Sequence, residues 1–272
     1  MGAMQGQVIV DLTGVPETLL MTLYNRAMEA KQPTGMLRDP LSVDLLKSIK
    51  YPFVQRFGKP DLSHVLRAIQ FDAQIRKFLA LHPSGMVVAL GEGLETQFWR
   101  IDNGQVHWLT VDLPEVIDLR RRLLPQNNRL QMLACSALDL SWAQHVDFTQ
   151  DILIVAQGLL MYFEPAEAHK LLDAIAERFP GGEMLFDTIP RWARTQRGHR
   201  QSRFYRMPAQ PWGIDRDQLD EITDMHASIK DMQILPQPQG RGFFYGILYP
   251  LLLRLPIIMN KLPMTVVVRF AD

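Results

Sequence analysis

The stretch VVALGEGLETQFWRI, residues 87–101, decides the fold. Its first four residues are apolar and include two adjacent valines, the texture of a strand buried on both faces. The run stops at Gly91-Glu92-Gly93, where glycines let the chain turn sharply and let a ligand approach the backbone. Nineteen residues beyond Gly93, a second apolar run ends in Val111-Asp112. In a doubly wound sheet an acid at that point can accept from both hydroxyls of a ribose. A dinucleotide site wants a third glycine, or an alanine, where this chain has Thr96. An adenosyl ligand without phosphates needs only the strand-end glycines and the acid. A methyltransferase is therefore the preferred reading over a nicotinamide-dependent oxidoreductase. The plain alternative, a pair of turn glycines with no ligand, is disfavoured by the spacing to Asp112.

Working outward, the same texture recurs. Apolar runs at 86–90, 105–111, 129–135, 151–157 and 183–189 alternate with helical patterns at 114–124 and 165–179, and MTVVVRF at 264–270 reads as a last strand. Strands alternating with helices mean an α/β fold with a largely parallel sheet. The first ~80 residues are different, since apolar residues recur there at helical spacing. Helices are expected over 16–29, over 41–56 and from Asp61, a candidate N-cap, to Leu81. No repeat, low-complexity tract or linker divides the 272 residues, so a single domain is expected: a helical lead-in over 1–82, then the sheet, with an insertion over 190–225. The run FFYGILYPLLLRLPIIM, 243–259, contains Pro250, Arg254 and Pro256 and is too short and interrupted for a membrane span. It reads first as a core or dimer-interface helix, which leaves a homodimer open, and second as a peripheral membrane contact.

Composition narrows the classes. Lys plus Arg and Asp plus Glu are 29 each, so the formal net charge is zero. A dedicated nucleic-acid binder needs a basic surplus, and none is expected here. The one cysteine, Cys135, cannot form an internal disulfide and sits in an apolar run, where it reads as a small core residue. The first residues lack the basic start and long apolar run of a signal peptide, and Gln7 does not suit a myristoylation pattern at Gly2. A cytoplasmic location is expected. The seven histidines are scattered without metal-ligand spacing, so no metal site is expected.

The pieces in order, Arg26-Ala27, Asp39-Pro40, Arg67, LGEGLETQFWR at 90–100, VDLPEVIDLRRRLL at 111–124, LDLSW at 138–142 and GLLMYF at 158–163, carry a resemblance. Over nearly its whole length the chain resembles the leucine carboxyl methyltransferase family, in particular its bacterial branch of polyketide (tetracenomycin-type) carboxyl O-methyltransferases. The resemblance implies a class I, Rossmann-like α/β fold. Its mostly parallel sheet has seven strands with helices on both faces, an N-terminal helical extension, and a lid inserted after strand five. It implies S-adenosylmethionine as methyl donor, with S-adenosylhomocysteine as product. By residue, it implies that Arg67 pairs with the carboxylate of the donor's methionine part and that Gly91 and Gly93 line that part. Asp112 would hold the ribose, Leu113 would lie near the adenine, Asp139 would accept from the adenine amino group, and Leu140 would pack on the ring. The family usually has Asp-Thr-Arg where this chain has Glu95-Thr96-Gln97, and an acid where it has Gln157. Gln157 can still accept from the donor's ammonium, without charge. Each position also has a plain role: Arg67 as a surface charge, Asp112 or Asp139 as a cap, Tyr162 as core.

The acceptor side is read from RWARTQRGHRQSRFYR, 191–206, with arginines at 191, 194, 197, 200, 203 and 206. One reading is a solvated helix, or salt bridges to the acidic stretch 215–224. The other is a lid whose Arg191, Arg200 and Arg203, with Trp192 and Tyr205, gather an anionic small-molecule acceptor such as a carboxylate or an acyl carrier's phosphopantetheine. A carboxylate acceptor is ionised at neutral pH and needs no base. A hydroxyl acceptor would need one, with Tyr162 and His199 as candidates. The expected activity is O-methylation of a small-molecule carboxyl or hydroxyl group, in polyketide or other secondary metabolism. A non-catalytic adenosyl-cofactor-binding protein remains a further alternative beside the nicotinamide enzyme.

Overall fold

The computed structural model describes residues 7–195, 198–199, 201–225 and 228–271. The chain begins with strand β1 (Val8–Ile9), helices α1 (Thr18–Ala30) and α2 (Pro40–Ser48), strand β2 (Ile49–Lys50), and helices α3 (Phe53–Phe57) and α4 (Ser63–Leu81). The expected helix over 41–56 is broken. Ile49 and Lys50 pair in parallel with Val8 and Ile9, and Pro52 disfavours helical backbone at Tyr51 before α3 resumes. Asp61 supports α4 from just outside it, its carboxylate accepting from Ser63 N at 2.7 Å.

The sheet follows: β3 (Met86–Leu90), α5 (Gln97–Ile101), β4 (His107–Asp112), α6 (Pro114–Leu123), β5 (Leu130–Ala134), β6 (Ile152–Ala156), α7 (Pro165–Arg178), β7 (Glu183–Thr188), α8 (Asp220–Met225), β8 (Ile229–Ile234), α9 (Tyr249–Leu252), α10 (Pro256–Met259) and β9 (Met264–Phe270). Seven strands lie in the order β5-β4-β3-β6-β7-β9-β8, with β9 antiparallel to both of its neighbours. The two central strands, β3 and β6, are buried throughout, which explains why they read as unbroken apolar runs. Their outward jump at β3 leaves a crevice at the carboxyl edge, where ligands of such sheets bind.

The core has two faces. One, with Trp142, Phe179 and Phe186, lies under α7; the other, with Phe71, Phe78 and Trp108, lies under α4 and α5. The lead-in packs as a third cluster, with Tyr24, Phe53 and Phe57 stacked around Leu94.

The reading of 243–259 as a core helix is corrected. The segment forms a π-helical turn at Phe244–Leu248 and then the short helices α9 and α10, with Pro250 and Pro256 in their first turns. Several of its apolar side chains face outward: Phe243 is 72% exposed and Ile257 85%. Among the described residues, no helix is long and apolar enough to cross a membrane.

Candidate active site

The glycine turn after β3 is held by Asp112 and by the Glu92–Arg120 pair. Gly91 and Gly93 adopt φ of 60° and 58°, the left-handed region. A side chain at either position would also collide, at 2.7 Å from Leu159 Cδ1 or 2.9 Å from Leu19 Cβ. Asp112, at the end of β4, accepts from Gly93 N at 2.7 Å and from Leu113 N at 2.8 Å. Burial pushes the Asp112 carboxyl up, against the pull of those two amides. Glu92 points away into the interior, where it pairs with Arg120 at 2.9 Å and accepts from Thr110. Arg120 returns to the turn, donating to the Gly93 carbonyl at 2.6 Å.

Glu95 anchors a buried ion network. It pairs with Arg26 at 2.9 Å and Arg100 at 2.6 Å. Arg100 also reaches Asp72 at 2.8 Å and Asp39 at 3.1 Å, and Arg26 lies 3.5 Å from Asp39. Thr96 donates to Asp39, and Gln97 donates to Asp72. The altered triplet 95–97 is thus fully built into this network. Burial pushes the Glu95 carboxyl up, but Arg100 and Arg26 more than offset it and hold it at about 2.

Two adjoining chambers lie over the turn. The larger, of about 450 Å³, is lined by Arg67, Glu95, Gln157 and Asp187 at its base and by Met161, Met207, Phe244, Tyr245 and Tyr249 above. The smaller, of about 230 Å³, is lined by Asp112, Leu113, Val116, Cys135, Ser136 and Ala137. Thr18, Leu19, Gly91, Gly93, Gly158 and Tyr162 line both. Burial raises the Tyr162 pKa, so its hydroxyl keeps its proton where it lines both chambers.

At the base of the larger chamber Arg67 pairs with Asp187 at 3.0 Å, and the other Asp187 oxygen accepts from Gly158 N at 2.5 Å. Gln157 Nε2 lies 3.5 Å from Glu95. At this base two buried atoms have no hydrogen-bond partner, Arg67 Nε, a donor, and Gln157 Oε1, an acceptor; Glu92 Oε1, elsewhere in the same lining, is a further unmet acceptor. One unmet donor and one unmet acceptor on the wall of one cavity suit a ligand that carries both a carboxylate and an ammonium.

Sequence reading passed over two residues here. Asp187, inside the apolar run 183–189, orients Arg67. His64, one helical turn before Arg67 on α4, also lines the larger chamber. The signal for it was the three-residue spacing, which places both on one face. Asp61 N donates to Asn25 Oδ1 at 3.1 Å, which fixes the Asn25 amide. Asn25 Nδ2, 2.9 Å from His64 Nδ1, is then the donor. The proton of the neutral ring therefore sits on Nε2. Burial, reinforced by Arg67, pushes the His64 pKa down to about 3, so the ring stays neutral.

Other expected positions lie elsewhere. Asp139 is exposed and caps the 3₁₀ turn Leu140–His145 through Ser141 N at 3.0 Å; neither it nor Leu140, which packs on the core, lines a chamber. Of the described residues in 190–225, Met207 and Gln210 line the larger chamber. His199 is exposed, with its carbonyl accepting from Met207 N. Arg191 and Trp192 form an exposed 3₁₀ turn, with Trp192 Nε1 donating to the Lys261 carbonyl at 2.7 Å. Arg203 lies over the Phe204 ring. Tyr205 is buried edge-on against Phe57, 4.9 Å between ring centres, because the aromatic lead-in cluster offers it a dry face. Arg200 lies outside the described residues. The aromatic wall comes instead from the β8–β9 connection, through Phe244, Tyr245 and Tyr249.

Comparison with known proteins agrees with this geometry. The family model described as leucine carboxyl methyltransferase matches residues 19–176. The chain is 36% identical over 186 residues to the tetracenomycin polyketide synthesis O-methyltransferase TcmP of Streptomyces glaucescens, covering 67% of this chain and 69% of that one. It is 28% identical over 201 residues to the S-adenosyl-L-methionine-dependent methyltransferase dpfgK of Gibberella zeae, covering 65% and 67%. In fold it is similar to the CurJ carbon methyltransferase, with a TM-score of 0.52 at 15% identity over 94% of this chain and 68% of that one. A match over more than half of the sequence, on the segment that builds the glycine turn and the ion network, makes this protein a methyltransferase of the leucine carboxyl methyltransferase family.

Proposed function

We propose that the protein, as one domain over 1–272, transfers the methyl group of S-adenosylmethionine to an oxygen of a small, largely apolar organic acid in the cytoplasm, a carboxyl oxygen ahead of a hydroxyl. The donor supplies a methyl group on a positively charged sulfur that leaves as a neutral thioether. Its methionine part fits the unmet pair at the base of the larger chamber, with Arg67 Nε toward the carboxylate and Gln157 Oε1 toward the ammonium. Asp112 would turn its carboxylate from the Gly93 and Leu113 amides toward the ribose hydroxyls, and Leu113, Cys135 and Ala137 would enclose the base. In this arrangement Asp139 and Leu140 act by shaping the turn beside that chamber.

The observation that carries the carboxyl reading is the absence of a usable base among the described residues of the larger chamber. His64 Nδ1 is committed to Asn25, and Tyr162 holds its proton. Glu92, Glu95 and Asp187 are tied to arginines. An acceptor that arrives ionised needs none of them. The wall around it is Met161, Ile189, Met207, Phe244, Tyr245 and Tyr249, which suits an apolar body and excludes water. Donors for the anionic end are His64 Nε2–H and the Tyr162 hydroxyl. The relationship to a polyketide O-methyltransferase supports the same class.

The test is methyl-ester formation from S-adenosylmethionine across a panel of polycyclic aromatic acids and matched phenols, followed by mass spectrometry. The acids should react, with a rate nearly flat from about pH 6 to 9, because no acceptor proton must leave. Reaction of the phenols alone, with a rate climbing through that range, would replace carboxyl by hydroxyl.

A further inference from the structure

The acceptor side carries a charge and burial pattern that methyl transfer does not use. Residues 188–214 contain six arginines and neither Asp nor Glu, and residues 232–271 contain three arginines, one lysine and again no acid. Within the second, Arg241 pairs with Glu29, Lys261 with Asp215, and Arg269 with Glu183 at the far end of β9, so the exposed positive charge of the cap is chiefly that of the first segment and Arg254. The two segments lie against each other. Trp192 Nε1 bonds to the Lys261 carbonyl, and Arg216, just beyond the first segment, donates from its backbone to the Asn260 carbonyl. Arg191, Arg194, Arg203, Arg206 and Arg254 are exposed, while Arg197 and Arg200 lie outside the described residues.

The same two segments hold eight of the fifteen exposed large apolar side chains among the described residues. Trp192, Phe243, Ile247, Leu251, Leu255 and Ile257 are 50–85% exposed. The cap has two faces: Phe244, Tyr245 and Tyr249 look into the acceptor chamber, and Phe243, Ile247 and Leu251 look into water. A concentration of this kind marks a contact surface.

We propose that the cap docks on an anionic lipid bilayer, with the acceptor chamber directly behind the docked face. A bilayer takes aromatic and aliphatic side chains into its headgroup boundary while arginines pair with lipid phosphates, which matches both halves of the pattern. A second copy of this chain would bring the same arginine-rich face against itself, and like charges oppose that contact. An acidic protein, such as an acyl carrier, would answer the arginines but leave protruding groups such as Ile257 and Phe243 without a dry partner. The inference does not depend on which acceptor is methylated.

Flotation with vesicles tests it. The intact protein should float with vesicles of phosphatidylglycerol and phosphatidylcholine, and roughly tenfold less with phosphatidylcholine alone or at high salt. Ile257→Asp and Leu251→Asp should each cut binding about tenfold or more without lowering the unfolding temperature, since both sites are exposed. Trp192 fluorescence should shift to the blue on binding, a shift missing in Trp192→Phe. Failure to float with anionic vesicles, or flotation that both Asp variants leave unchanged, overturns the proposal. So does a dimer in light scattering that those variants dissolve, or saturable binding of a phosphopantetheine-bearing acyl carrier protein in place of vesicles.

Discussion

The two sides of the cavity treat charge in opposite ways. Around the glycine turn, Asp39, Asp72, Glu92 and Glu95 are buried, and each meets Arg26, Arg100 or Arg120 within 3.1 Å. In the cap no acid stands among residues 188–214 or 232–271, and the described arginines there lie mainly at the surface. Charge taken out of water must be answered inside the molecule, at a cost of several kcal/mol if it is not. Charge at the surface keeps its water. The first arrangement fixes one geometry for the glycine turn. The second leaves a positively charged face in solvent, with Arg241 paired to Glu29 and Lys261 to Asp215. The family match ends at residue 176, before the cap begins.

The largest expected effect comes from breaking the answered side. Arg100→Leu leaves Asp72 and part of the Asp39–Glu95 cluster buried without their cation. That should cost about 3–5 kcal/mol, or roughly 10 °C in unfolding temperature. Arg203→Glu in the cap should stay within about 0.5 kcal/mol. Because Arg203 lies off the chamber lining, the change should also leave the acceptor KM unaltered. Equal losses for the two variants in chemical denaturation would erase the contrast between the regions.

The next effect is a pH dependence confined to the same side. Glu95 is held at about 2 in the folded protein, below the ordinary carboxylate value. Its contribution to stability is therefore complete above that ordinary value and is lost as pH falls from there through about 2. The stability gap between the protein and Glu95→Gln, measured by urea unfolding, should narrow over that window. A gap that stays constant down to acid pH would mean that the carboxylate charge does not hold the network.

The same contrast explains what could be read from sequence. Buried parallel strands must be apolar on both faces, so 86–90 and 152–156 announced themselves, as did the glycines that end the first. Strand β8 did not, because an edge strand with Lys230 and Asp231 in its middle carries no clean alternation. Arg26, Asp39 and Arg100 stood in separate matching pieces and Asp72 drew no notice, and their pairing was not visible, since ion pairing across distant helices leaves no local spacing. The regular arginines at 191–206 suggested an acceptor lid. The aromatic wall of the chamber came from a segment expected to be core, because an apolar run does not reveal which of its faces is covered. Tyr205 read as an acceptor contact yet packs on Phe57, a partner found only once the lead-in folds back.

Calorimetric titration of the donor product tests the central claim most directly, since it needs no acceptor. S-adenosylhomocysteine should bind the intact protein at one site. Asp112→Asn and Gln157→Leu should each weaken it about tenfold, the loss of one hydrogen bond to a charged or buried group, while both variants remain folded. Binding of NADH in place of S-adenosylhomocysteine, or variants that bind the product as tightly as the original protein, would contradict the assignment of this cavity to the methyl donor.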